Sequence, residues 1–159
     1  SLVKKAINSG IGSEFYGKLG GYFDNQFKPY EMKFRVKLIS DGDHIEESRN
    51  VKRNAGKTVV LISDNFTIVC TSKPISLFDR SIFFGNGINP KRFDLIIVKS
   101  PHCRPEFFDE WSTINFNIDA PGATSANLHS LGHTICNRPI FPLEKNTKFD
   151  PKIEDKIIW

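Results

Sequence analysis

Between Tyr30 and Ser40 the chain alternates: Met32, Phe34, Val36 and Leu38 are apolar, while Lys33, Arg35 and Lys37 are basic. A period of two sends the first set to one face and the second to the other, so the stretch is read as a strand with a core beneath it and water above. A strand needs neighbours for its backbone groups, and the flanking sequence supplies them in short pieces. Residues 14–19 read as a strand entering the Gly20-Gly21 turn. Downstream, Asp41-Gly42-Asp43 is a turn signal, followed by a short polar strand near 44–51 and a second turn at Asn54-Ala55-Gly56. The apolar piece 58–62 then passes through Asp64-Asn65 into the strand 66–72. Short strands at such spacing predict an antiparallel meander or a barrel-like sheet. Residues 3–9 read as the end of a helix stopped by Gly10 and Gly12.

The second half changes character. A helical turn is expected to begin near Asp79 and to end before Gly85-Asn86-Gly87, and the almost wholly apolar run 93–99 predicts a strand buried on both faces. Pro105 followed by Glu106, Asp109 and Glu110 has the composition of a helix start, 113–118 reads as another strand, and Thr124 or Ser125 caps a short helix through Leu131. The fold class expected is therefore α+β, with a β-rich first half and a small strand–helix–strand–helix unit in the second half. Residues 1–143 are read as one domain and 144–159 as a charged tail ending in Ile157-Ile158-Trp159.

Bulk properties narrow the function classes. The chain has 159 residues, 39% hydrophobic and 25% charged, which suits one globular domain with a real core. No apolar run approaches the roughly 20 residues that span a bilayer, and no leader pattern follows Lys4-Lys5, so no membrane partner is expected. Three cysteines, Cys70, Cys103 and Cys136, without a CxxC spacing argue for free thiols and a reducing, cytoplasmic location. The net charge is +4 and the pI about 9.0, but the bases are interleaved with acids instead of gathered on one stripe, which argues against a nucleic-acid surface. The densest basic cluster, 49–57, is read as a charged hairpin loop.

Few constellations could carry chemistry. His129 and His133 are four apart, yet position 130 is Ser where a zinc-protease helix needs Glu, and Gly132 interrupts the segment. Asp41, Asp43 and His44 are explained as a hairpin turn. Cys103 stands beside His102, but neighbours on an extended loop point in opposite directions and do not make a thiolate–imidazole couple. Ser100, His102, Arg104, Asp119 and Ser125 are better candidates, for a polar substrate-facing rim just past two predicted strand ends. Arg104 can clasp a carboxylate with two parallel hydrogen bonds. No catalytic or metal-ligating residue is assigned from the sequence.

Taken in order, Thr71-Ser72-Lys73, Phe78-Asp79, Gly87-Ile88-Asn89-Pro90, Val98-Lys99-Ser100 with His102 and Arg104, Asp119-Ala120-Pro121-Gly122 and the run Arg138-Pro139-Ile140-Phe141-Pro142-Leu143 resemble the C-terminal domain of the microcystinase C (MlrC) family of zinc metallopeptidases. Leu19-Gly20-Gly21 and 36–42 fit the same domain, so the similarity covers residues 10–143. Four features depart from it: the loop holding His102 is one residue shorter than the family's usual form, Cys103 stands where an aromatic is typical, Tyr22 follows the double glycine where a basic residue is more usual, and the tail from Glu144 has no counterpart. The resemblance implies a protein of two parts, in which an N-terminal α/β domain, expected to precede Ser1, holds the zinc. The chain itself is then expected to need no cofactor and to be inactive alone, helping to shape the cleft for a peptide-like or amide substrate or to form a homo-oligomer. The alternative reading is a stand-alone binding or structural subunit, and a weaker one a basic nucleic-acid-binding β-barrel.

Overall fold

A computed structural model describes residues 1–21, 27–120, 127–148 and 150. In chain order its regular elements are helix α1 (Leu2–Ser9), strands β1 (Glu14–Leu19), β2 (Tyr30–Ser40), β3 (Asp43–Glu46), β4 (Val51–Asn54), β5 (Thr58–Ser63) and β6 (Phe66–Thr71), and the single-turn helix α2 (Ser81–Phe84). The chain divides into two units, Ser1–Asn115 and Phe116–Trp159. The architecture is α+β, and its strands lie in the first half.

The strands β1, β2, β5 and β6 form one antiparallel sheet in the order β1-β2-β5-β6, and β3 pairs with β4 as a separate hairpin inserted between β2 and β5. This is the expected meander with an insertion; among the described residues β1 and β6 are open edges, so the sheet is not closed into a barrel. On its inner face Phe34 and Val36 of β2 and Val59 and Leu61 of β5 bury against Val3 and Ala6 of α1. The α1 stripe follows from spacing: Val3 and Ala6 fall on one side, Lys4 and Lys5 stay exposed, Ser1 Oγ accepts from Lys4 N at 3.4 Å, and Gly10 stops the helix at φ 83°. Phe15 and Phe34 add a tilted ring pair 5.7 Å apart.

Strict alternation holds in β2 only as far as Val36. Val36 lies opposite Leu61 but Leu38 lies opposite Val60, so Lys37 is an extra residue that shifts the pairing. Beyond it Ile39, not Leu38, packs on the inner core, and Ser40 turns to the outer face, where its Oγ donates to Asn86 Oδ1 at 2.7 Å. The outer face therefore has two ends. At the β1 end it is wet and carries the pairs Lys33–Glu14 (2.6 Å) and Lys18–Glu31 (3.2 Å); at the other, Thr58 and Val60 are fully buried.

The polar segment after β2 is also arranged differently from its sequence reading. The strand expected at 44–51 is β3 alone, and part of the basic 49–57 stretch is a strand, β4, instead of a loop. The reversal comes earlier because the buried Glu46 carboxylate collects Arg53 Nε at 2.8 Å and Arg49 Nε at 3.5 Å, with Asn50 in the left-handed region at φ 54°. Asp41, Asp43 and His44 form the turn as expected: Asp43 N donates to Asp41 Oδ1 at 3.1 Å and His44 Nδ1 lies 3.1 Å from Gly42 O.

The second-half elements are thinner than the sequence suggests. Neither 93–99 nor 113–118 joins a strand ladder among the described residues, and Leu95, Ile97, Ile114, Phe116 and Ile118 are exposed. An apolar run signals a need for burial; it does not supply the partner that provides it. The Pro105 start makes only a 3-10 turn, Pro105–Phe107, and Phe107 and Trp111 both lie against the Arg80 guanidinium. The cap expected at Thr124 or Ser125, and residues 151–159 of the tail, lie outside the described residues. In the second unit Leu128–Leu131 is a 3-10 turn ended by Gly132 in the left-handed conformation.

Two predictions concern the core. Phe34→Ala removes its largest fully buried side chain and is expected to cost about 3–5 kcal/mol, read from urea unfolding. Cys70 packs on the same core, and burial pushes its thiol from 9.0 up to about 11. The neutral thiol is favoured in the fold, so its contribution is intact below pH 9 and is lost as the pH rises toward 11. A thiol reagent at pH 8 is expected to label Cys70 at least tenfold more slowly in the folded chain than in urea, by mass spectrometry.

Candidate functional site

The buried end of the outer face is where charged side chains converge. Asp79, just before α2, is buried, and its carboxylate ties three pieces of chain together. Its Oδ2 accepts from Ser48 N at 2.8 Å, its Oδ1 accepts from Ser81 N at 2.9 Å, and Ser81 Oγ also donates to it. Ser81 Oγ in turn accepts from Glu47 N at 2.7 Å, so the turn between β3 and β4 is locked to α2. Burial pushes the Asp79 carboxyl up, but the hydrogen bonds from Ser81 and Ser48 outweigh it and hold the group below the usual carboxylate range.

Arg80 follows directly. Its Nε donates to Glu47 Oε2 at 3.0 Å and its Nη2 to Glu47 Oε1, a bidentate pair. The guanidinium lies 4.3 Å from the Trp111 ring centre and 5.8 Å from those of Phe84 and Phe107. A planar, weakly hydrated cation suits such a box of ring faces.

The loop carrying three candidate residues docks beside this knot. Ser100 Oγ accepts from Leu77 N at 3.3 Å and from His102 N at 3.2 Å, and Arg104 N donates to Phe78 O at 2.9 Å. Two side chains lie against Phe78: the Arg49 guanidinium sits over its ring, 4.5 Å from the centre, and the His102 ring lies tilted against it at 5.8 Å. Ser100, His102 and Arg104 are thus brought together on one braced loop. Asp119 lies in the second unit, exposed, and accepts from Asn127 Nδ2 at 3.2 Å; Ser125 lies outside the described residues.

Arg104 is exposed, and among the described residues its side chain makes no ion pair or hydrogen bond. The Cys103 thiol is pushed up by burial and by the Glu106 and Asp79 carboxylates, the opposite of what a thiolate nucleophile needs. The three cysteines are free, and among the described residues no three His, Cys, Asp or Glu side chains are grouped to hold a metal ion, His129 and His133 included. The described residues therefore do not supply the three or four ligands of a zinc centre. A shallow groove on the wet end of the sheet, lined by Glu14, Lys33, Arg35 and Phe66, is no better, since Lys33 and Glu14 already neutralise each other.

The knot of Asp79, Arg80, Glu47 and Trp111 was not legible as a unit, although Phe78-Asp79 is among the residues carrying the family resemblance. The family whose model is described as "MlrC C-terminus" matches residues 1–134. The chain belongs to this family. Among solved structures, this MlrC C-terminal domain is similar to a crystal structure of a chain from Mesorhizobium sp. BNC1 named "Putative metallopeptidase", with a TM-score of 0.76 at 18% identity. The likeness covers 94% of this domain but only 30% of that chain, so the domain spans less than a third of the solved relative's length. No curated protein matches the sequence. No helix among the described residues is long and apolar enough to cross a membrane.

Asp79→Asn is expected to lower stability by about 2 kcal/mol at pH 7, because buried N–H donors lose a charged acceptor. The native carboxyl titrates below its unfolded value, so its contribution is present at neutral pH and is lost as the pH falls through the native value. The variant's deficit is expected to shrink toward pH 3, measured by urea unfolding across pH.

Proposed function

We propose that this chain is the accessory C-terminal domain of a metal-dependent peptidase or amidohydrolase resembling microcystinase C. The supporting observation is the family match over residues 1–134, joined to a fold that covers 30% of a chain named "Putative metallopeptidase". In this reading zinc and its ligands belong to a preceding N-terminal domain, which is this domain's first partner. The loop of Ser100, His102 and Arg104 then contributes to the wall of a cleft for a peptide-like or amide substrate, or to a homo-oligomer contact. The unengaged Arg104 guanidinium fits the wall role, since it can hold a substrate carboxylate. A cytoplasmic location accompanies the reading, supported by the three free thiols.

The test compares the whole natural polypeptide with these 159 residues on a panel of peptides and amides. Hydrolysis is expected only from the longer chain, lost on chelation and restored by zinc. Hydrolysis by the shorter chain, or activity indifferent to chelation, overturns the proposal. In the longer chain Arg104→Ala is expected to raise KM about tenfold with kcat little changed; an unchanged KM removes Arg104 from the wall.

A further inference from the structure

Residues 94–99 have the composition of an interior strand and the exposure of a surface. Leu95 and Ile97 are 70% and 71% exposed, while Ile96 and Val98 between them are half-buried. Exposure that alternates with a period of two is strand geometry, because successive side chains of a strand leave on opposite faces. Yet among the described residues no backbone hydrogen bond involves 94–99, and no strand pairs with them.

The ribbon is nonetheless held at both ends. Phe93 N donates to Pro90 O at 3.0 Å, and Pro90 is fully buried. At the far end Ser100 Oγ takes the N–H groups of Leu77 and His102. A segment pinned at its ends, with backbone groups unpaired between and large aliphatic side chains in water, is an edge prepared for another strand. Later in the chain Ile114, Phe116 and Ile118 show the same excess, at 65%, 76% and 81% exposure.

We infer that 94–99 is one strand of a sheet completed by a β-strand from the remainder of a longer polypeptide, the part that precedes this domain; the inference rests on the two-part reading above. Two observations favour that occupant. The fold accounts for 30% of the solved relative, so most of that relative's length lies outside the matched region and is available to supply an adjacent strand. The ribbon is also rimmed by exposed Lys91, Arg92 and Lys99 against the single acid Asp94, which suits a neighbouring strand with an apolar face and carboxylates at its ends.

The experiment is hydrogen exchange on the whole natural polypeptide. Amides 94–99 are expected to exchange at least a hundredfold more slowly than an unstructured peptide of the same sequence, independently of protein concentration. The double variant L95D/I97D is expected to lose that protection while 30–40 stays protected, which shows that β2 and its core remain folded. If the variant unfolds altogether, the wild-type measurement alone decides. Exchange at unstructured rates overturns the inference, as does protection that appears only with rising concentration, the mark of a second copy. Zinc-dependent hydrolysis with a freely exchanging ribbon sinks this inference alone. A protected ribbon in a polypeptide that hydrolyses nothing sinks the peptidase reading and leaves the strand pairing standing.

Discussion

Strand β5 is the member on which the rest depends. It has a hydrogen-bonded neighbour on either side, and Thr58, Val59, Val60 and Leu61 are all fully buried. Few strands of an antiparallel sheet are dry on both faces; most leave one to water. Here the inner face belongs to α1 and the core around Phe34, while the outer face is dry only at its Thr58 end. That local dryness gives the β3–β4 hairpin and α2 a place to settle, and it makes buried carboxylates such as Glu46 and Asp79 sustainable only because each is fully engaged.

Order then passes outward by polar contacts instead of apolar burial. Asp79 fixes the hairpin turn to α2, and its neighbour Arg80 spans the gap from Glu47 to the rings of Phe84, Phe107 and Trp111. The loop of Ser100, His102 and Arg104 is braced on Phe78, one residue upstream of Asp79. A loop without regular structure is thereby given a defined shape, which is what a binding wall requires of it. Ser100, itself half-buried, braces the loop by accepting two backbone N–H groups on its Oγ.

What the sequence discloses and what it hides follow from the range of the interactions. The bounds of β2 were legible because a period of two over a long stretch is a local signal, and the Gly10 stop of α1 because left-handed geometry selects glycine. The resemblance to the MlrC family was legible for a different reason: it sums many short, ordered matches. The β3–β4 boundary departs from the sequence expectation where Glu46 draws Arg49 and Arg53 back toward itself, a choice made by side chains and not by propensity. The ring box around Arg80 was invisible, since it joins residues more than thirty positions apart, such as Glu47 and Trp111. The apolar run 93–99 predicts a buried strand, and among the described residues Ile96 and Val98 are only half-buried while Leu95 and Ile97 stay exposed and no strand pairs with the run.

The extra residue in β2 has a consequence for how such a domain can vary. Upstream of Lys37 the even positions serve the α1 core; downstream that duty passes to the odd ones, and Ser40 is released to reach Asn86. One strand is thus written in two phases, each answering to a different neighbour. Pairing the strand regularly with Lys37 retained would point Ile39 outward and Ser40 into the core, whereas deleting Lys37 would make the ladder continuous and leave both on their present faces. The phase break is therefore the place inside this strand where one residue can be lost without turning a side chain over, whereas a single deletion elsewhere between Phe34 and Ser40 would set the α1 core and the Asn86 contact against each other.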